Sequence, residues 1–400
     1  MRYKHFKSGL LAISFFQLIS LMACTKTDKR EEINIEIKNT LGFSRNEIIS
    51  LQRNKLHLLL DKNDQKNIRI KEKGAHKYLV TQWVDNDGDG KGDELLFQAN
   101  VAANATAKYV IMLDTIQVAE PKAKTYSRFV PERIDDYAWE NNKVAFRAYG
   151  PVAQQLVEQG KEGGTLSSGI DLWLKKVDYS IIDSWYKKNV ANPGYYHIEH
   201  GEGYDPYHVG ASRGTGGTGL WEKDSLLVSK NYVSYKTIAT GPLRTVFELT
   251  YAPWSSYDIQ EVKRISLDLD SNFSKFEISY RSEKKIPNYT VGITLHDKKG
   301  EVNINKPKGW FRHWEPIDSA FVGEGIVLSP KLIDTAFVHD SKTADQSNLL
   351  ILTNPDNKIT YYAGFAWTAS TQIKDVIDWD AMLEKQAEII ANPLVIKINK

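Results

Sequence analysis

Cysteine is almost absent from this chain: Cys24 stands alone among 400 residues. Without a partner in the chain it forms no intrachain disulfide, so the fold must rest on burial rather than covalent staples. No Lys/Arg-rich stripe occurs, and 52 basic residues meet 50 acidic ones, which argues against nucleic acid as a partner. Apolar runs long enough for a membrane-spanning helix are missing. Helical periodicity is scarce, and no internal repeat stands out. Aromatic residues, by contrast, reach 11 % with ten Trp and twenty Tyr. That usage suits either sugar stacking or the packing of a large β-protein.

The N-terminus carries Arg2, Lys4 and Lys7, then a short apolar run over residues 10–21, then Leu21-Met22-Ala23-Cys24. A basic segment, a short apolar stretch and a small residue before the cut describe a secretory signal over residues 1–24. Cys24 sits where a bacterial lipoprotein needs its lipidated cysteine. The expectation is an exported lipoprotein, anchored on the periplasmic side of a membrane or at the cell surface. Removing residues 1–24 leaves 49 bases against 50 acids, near neutrality.

The remaining text reads as strands. Residues 33–38 alternate Ile with Asn, Glu and Lys, and residues 78–84 are rich in strand formers. Similar segments recur at 108–113, 144–149, 245–251, 263–269, 275–280, 290–295, 325–328, 349–353 and 361–367. Helices are expected at 44–51, 150–159 and 380–391, the last capped by Asp378 or Asp380. Many strands and few helices predict an antiparallel all-β protein. The simplest division is a small N-terminal β-sandwich, residues 25–120, and a large sandwich, residues 125–400, joined at 120–124.

Chemistry concentrates between His197 and Gly217. Three of nine histidines, His197, His200 and His208, lie within twelve residues, beside Tyr204, Tyr207, Asp205 and Arg213. Gly and Pro interrupt the stretch too often for a helix, and it lacks strand alternation. Loops of this kind are more often functional than connective. The spacing fits no closed zinc pattern, so a general acid/base set is the better reading.

Other groups carry two readings each. Asp85, Asp87, Asp89 and Asp93 alternate with Asn and Gly like a calcium loop, but Leu96 stands where a bidentate Glu belongs. They form either a structural Ca2+ site or an acidic turn between strands. Arg147 and Tyr149 share one strand face and either clamp a carboxylate or make a routine ion pair, for instance to Glu140. Trp310, Arg312 and His313 form either a sugar-stacking wall or an aromatic cluster, and His296 ends a strand where a cleft can open.

Four motifs, in order, resemble one family: 139–151 (Trp-Glu-Asn through Arg147-x-Tyr149-Gly-Pro), 169–175, the His197–Gly217 loop and the Asp-Gly loop with Glu94-Leu95-Leu96-Phe97-Gln98. This is a family of exported bacterial proteins long catalogued as a domain of unknown function. One branch is similar to the oligosaccharide dehydratases of ulvan-degrading marine bacteria. The resemblance implies a mutarotase-like supersandwich for the larger domain. It also implies removal of water across C4–C5 of a non-reducing-end glucuronic or iduronic acid, within sulfated uronic-acid oligosaccharides.

Such an elimination needs the carboxylate neutralised, the C5 proton removed and the departing hydroxyl protonated. Chemistry suggests Arg213 or Arg147 for the first task, His200 or His208 for the second, and Tyr204 or Tyr207 for the third. His197 would brace the loop, while Tyr149, His296, Trp310, Arg312 and His313 would line the substrate site. No nucleotide or redox cofactor is required. The rival readings are a non-catalytic glycan-binding lipoprotein and a sugar mutarotase or epimerase.

Overall fold

A computed structural model describes residues 31–61, 63–119, 121, 124–207 and 212–399. The expected signal segment, Cys24 and His208 lie outside the described residues. Among the described residues no helix is long and apolar enough to cross a membrane.

The N-terminal part is a two-sheet sandwich. One sheet has the order Val395–Asn399, Glu32–Lys38, Thr106–Leu113, Ile68–Glu72; the other, Arg45–Gln52, Glu94–Val101, Thr81–Val84. The alternation of residues 33–38 places Ile33, Ile35 and Ile37 in the interior, against Leu51, Phe97 and Ile111. Two expectations change here. Residues 44–51 form a strand rather than a helix, because every residue of Arg45–Gln52 finds a partner along Glu94–Val101. A segment such as Glu-Ile-Ile-Ser-Leu supports either periodicity, and the waiting sheet edge decides it. The chain also returns: Val395–Asn399 pairs with Glu32–Lys38, Ile398 opposite Ile35 and Ile396 opposite Ile37. The larger unit therefore ends before residue 395.

That larger unit is an all-β supersandwich. Its base is an eight-stranded antiparallel sheet ordered Tyr232–Ala239, Arg244–Trp254, Ile259–Asp268, Phe273–Arg281, Lys358–Trp367, Ala320–Leu328, Trp310–Ile317, Glu301–Asn305. Two five-stranded sheets cover its inner face. One runs Ser225–Leu227, Thr215–Glu222, Tyr289–Thr294, Asn348–Thr353, Ile333–His339; the other, Gly203–Tyr204, Asp171–Lys175, Ala145–Ala148, Asp136–Glu140, Tyr126–Val130. One continuous core joins all three, with Trp139 and Phe146 of the third sheet meeting Phe247 and Phe365 of the first at 5.0 and 5.4 Å.

The outer face of the large sheet is covered by the helix Val376–Ala391. It starts four residues earlier than its sequence suggests, and its cap is Asp375, whose carboxylate accepts from the N–H groups of Ile377 and Asp378. Trp379 and Leu383 descend onto Gly323 and Gly325, where a Cβ would stand 2.4 and 2.5 Å from their side chains. Only glycine lets this helix lie so close. The helix expected over 150–159 forms as Pro151–Glu158, with proline in its first turn.

Candidate functional site

Period-two alternation sorts the candidate residues before any contact is considered. Along Trp310–Ile317, Phe311, His313 and Glu315 face the inner core, whereas Trp310, Arg312 and Trp314 face the covering helix. Arg312 bonds Asp380 at 2.6 Å and Glu301 at 2.8 Å, and the Trp310 indole N–H donates to Glu384 at 2.8 Å. Arg312 and Trp310, expected at the substrate, thus fasten the outer helix instead. Their neighbour His313 points the opposite way.

His313 lies directly across the strand pair from Glu324, and its Nδ1 meets the Glu324 carboxylate at 2.7 Å. Both are buried, 0 % and 1 % exposed. Beside them, at the end of Tyr289–Thr294, His296 Nδ1 meets Glu315 at 2.9 Å. His296 holds φ +36, a left-handed conformation uncommon for a non-glycine residue, so the backbone is bent to deliver this ring. The two rings are 6.2 Å apart. The Tyr207 hydroxyl donates to Glu315 at 2.8 Å while its ring stacks on His296 at 4.5 Å. The Thr215 hydroxyl donates to Glu324 at 2.6 Å. His313, His296 and Tyr207 come from three distant places in the sequence, and the fold brings them together.

Electrostatics follow from burial among carboxylates. Burial opposes a charge on His296, but the hydrogen bond to Glu315 and the fields of Glu324 and Glu315 outweigh it and lift the ring to about 9. Burial favours a neutral Glu315, yet His296 holds its carboxyl below the usual range. Burial, and then the Glu315 and Glu324 charges, raise the Tyr207 phenol well above its ordinary value, so it keeps its proton. Tyr207 is a donor.

The His197–Gly217 loop is pinned in two directions. Its two-residue strand Gly203–Tyr204 pairs with Asp171–Lys175, and a Cβ on Gly203 (φ +114) would stand 1.9 Å from the Leu174 carbonyl oxygen. Tyr204 donates to Asp318 at 2.5 Å and packs near Trp367. Burial, reinforced by Asp318, lifts its phenol as well. His200 stacks on Tyr195 at 4.0 Å in an exposed turn, with its Nε2 3.2 Å from the Tyr195 carbonyl oxygen. His197 Nδ1 meets the Asp205 carbonyl at 3.0 Å and so braces the loop. His208 lies outside the described residues.

The two arginines expected to bind a substrate carboxylate are both spent elsewhere. Arg147 alternates with Phe146 and Ala148, which face the core, so it points to the opposite face, beneath the helix Ile182–Ala191 and its aromatic neighbours. There, 3 % exposed, it meets Asp171 at 2.5 Å, Asp205 at 2.8 Å and Asp136 at 3.7 Å, with the Tyr149 hydroxyl at 3.1 Å. Tyr149 belongs to this closed group, not to a substrate wall. Glu140, the other suggested partner, pairs with Lys175 at 2.7 Å. Burial pushes Asp136 up to about 6 and Asp205 well above its ordinary value, despite the nearby guanidinium. Arg213 is likewise buried, donating to Ser168 Oγ and the Thr218 carbonyl, and burial lowers it to about 10.

Glu315 and Glu324 are the residues that sequence reasoning missed. The available signal was a carboxylate inside each of two apolar strands, since such groups are rarely buried without a partner. In the acidic loop, Asp85, Asp87 and Asp89 oxygens lie within 4.8 Å of one another, while Asp93 accepts from the Asn86 N–H instead. Asp85 accepts from Gly88 and Gly90, as an Asx-type turn does. Asn86 then bonds Arg264 and Lys236 of the large sheet, so the loop fastens the two units together.

Comparison with known proteins places the chain. The family model described as a domain of unknown function (DUF4861) matches residues 37–396, and the chain belongs to that family. A relative from Formosa agariphila, described as uncharacterized protein P7, is 44 % identical over 383 residues, covering 94 % of this chain and 95 % of the relative. Among solved structures, a glycosyl hydrolase family 38 protein from Enterococcus faecalis superposes with a TM-score of 0.52 at 9 % identity. The match covers 92 % of this chain and 47 % of that protein, so the chain spans about half its length. At that identity the likeness speaks for the fold alone.

Proposed function

We propose that the protein is a carbohydrate-active lyase that removes water across C4–C5 of a terminal uronic acid in an acidic oligosaccharide. The observation that carries this reading is the Tyr207 hydroxyl, a retained proton on a half-buried phenol, held by Glu315 and stacked on His296. Elimination of a hydroxyl group requires such a donor, because hydroxide leaves poorly. Tyr207 is favoured over Tyr204 as the acid because it is half-buried against the His296 ring, whereas Tyr204 is buried and bonded to Asp318. Of the two histidines the sequence offered for removing the C5 proton, His200 and His208, the latter is next in the chain to Tyr207 and is assigned that task here.

Supporting context comes from the family motifs, which resemble ulvan-oligosaccharide dehydratases, and from a scaffold shared with a glycosyl hydrolase protein. Export as a lipid-anchored protein through Cys24 suits an enzyme acting on fragments of an external polysaccharide. The decisive experiment is incubation with a saturated uronyl-rhamnose sulfate oligosaccharide. An elimination produces a conjugated uronate that absorbs in the ultraviolet, with loss of one water by mass. Binding without reaction, or a change of anomeric or C5 configuration without new absorbance, would replace this reading with a glycan-binding or epimerase role.

A further inference from the structure

We infer that His296, His313, Glu315 and Glu324 bind one divalent first-row metal ion, with zinc as the best match. One ligand atom from each of the four lies within 4.8 Å of all the others. Zn–N and Zn–O bonds run about 2.0–2.2 Å, so ligand atoms around a tetrahedral ion stand about 3.3–3.6 Å apart. From at most 4.8 Å, side-chain movements of up to about an ångström would close the group around an ion. Two imidazoles and two carboxylates are the borderline donor set that zinc, manganese or iron(II) accepts, rather than the all-oxygen set of calcium.

Three further observations point the same way. First, each carboxylate is already held by a hydroxyl donor: Thr215 on the Glu324 oxygen turned away from His313, and Tyr207 on one of the two Glu315 oxygens that His296 approaches. That is the outer support which aims metal-binding carboxylates. Second, the ion pairs of Glu315 and Glu324 among the described residues are to these two histidines alone, with no Lys or Arg. Two carboxylates buried to 4 % and 1 % exposure thus lack a permanent cation. Third, His313 Nε2 is buried with no hydrogen-bond partner among the described residues, and a Cβ on Gly300 would stand 2.1 Å from it. A buried polar atom that the protein leaves unpaired is one that an additional group can satisfy.

The inference deepens the dehydratase reading and, in its consequence for substrate, rests on it. With Arg147 and Arg213 both buried elsewhere, the described residues offer no guanidinium to neutralise a uronate carboxylate at Tyr207. An ion held by four protein ligands can accept a fifth, and an anionic oxygen of the substrate is the ligand class it would take. Charge then spreads into the carboxylate as the C5 proton leaves.

The test uses the tag-free mature protein, stripped with chelator and titrated with Zn2+ by calorimetry, with Mn2+ and Ca2+ as comparisons. We expect one equivalent of Zn2+ bound, with a rise in melting temperature. Glu315→Gln and His296→Ala should each weaken Zn2+ binding more than about 100-fold, and Tyr207→Phe, which removes a support of Glu315 rather than a ligand, about 10-fold. A double Asp85→Asn, Asp87→Asn protein should bind Zn2+ as the parent does. Absence of Zn2+ and Mn2+ binding, or binding lost with the Asp85/Asp87 variant and kept by Glu315→Gln, would overturn the inference. Circular dichroism of each apo variant separates a lost ligand from a lost fold. The two readings fail separately: full elimination activity in the chelated protein sinks the metal's role and spares the lyase, whereas tight Zn2+ binding without elimination does the reverse.

Discussion

Two buried polar groups lie in the larger unit, one on the outer face of the sheet that contains Ala145–Ala148, the other on the inner face of the eight-stranded sheet, and one loop supplies a residue to each. Asp205 completes the Arg147 group, where a guanidinium is surrounded by Asp136, Asp171, Tyr149 and Tyr196. Two residues later, Tyr207 enters the His296–Glu315 and His313–Glu324 group. The first is roofed by Trp173, Trp185, Tyr186 and Tyr196 and turned inward on itself. The second keeps His296 and Tyr207 half-buried at its mouth and holds its carboxylates by imidazoles and hydroxyls rather than by fixed cations. A ring of mutually neutralising charges is a structural device; carboxylates that meet only imidazoles and hydroxyls among the described residues are what the proposed ion would complete.

The sharpest contrast between the two groups is a pair of tyrosines. Tyr207→Phe should lower the elimination rate by about 10²–10⁴-fold with little change in melting temperature, as expected for a general acid. Tyr149→Phe should leave the rate within about twofold, since its hydroxyl serves only Arg147 and Asp171. Equal rate losses in both variants would erase the distinction between the two groups.

Arg147→Met comes next. It leaves three carboxyl groups around a vacated cation, and breaking such a buried pair typically costs about 3–5 kcal/mol. Chemical denaturation at neutral pH measures it, and a loss under about 1 kcal/mol would mean the group is less closed than it looks.

A smaller effect concerns pH. Asp136 titrates near 6 in the folded protein and near 4 when unfolded. The folded state therefore binds more protons between those values, and this residue's contribution to stability falls as pH rises from about 4 to about 6. Asp136→Asn removes that slope, so its stability relative to the parent should climb across the window by about 1–3 kcal/mol. A difference that stays flat over that range would show the carboxyl to be ionised throughout. Smallest of all, Arg312→Ala should lower stability through its lost contacts to Asp380 and Glu301 while leaving the rate per folded molecule unchanged. A tenfold rate loss would return Arg312 to the substrate side of its strand.

How far the sequence could be read depended on distance along the chain. Ile33, Ile35 and Ile37 announced their strand because alternation is local, and the sheet merely accepted it. Residues 45–52 held no such local answer, since the same letters suit a helix until Glu94–Val101 offers its edge. Within 310–315, adjacency in sequence concealed opposition in space: a pleated strand sends Arg312 outward and His313 inward. Parity alone separated them, but which parity faces the core depends on what covers the other side.

By itself, then, the sequence determined a β-rich chain and the stretch from which Tyr207 is drawn, because periodicity and composition are properties of neighbouring residues. Tertiary structure decided which charges are satisfied. Arg147 and Arg213 look as available as any arginine until the partners that surround them, tens of residues away, are in place. Glu324 becomes a ligand-like carboxylate only when strand pairing sets it opposite His313 and the loop delivers Thr215 behind it. Burial and long-range pairing set the free energy of a charge, and neither is written in its local sequence.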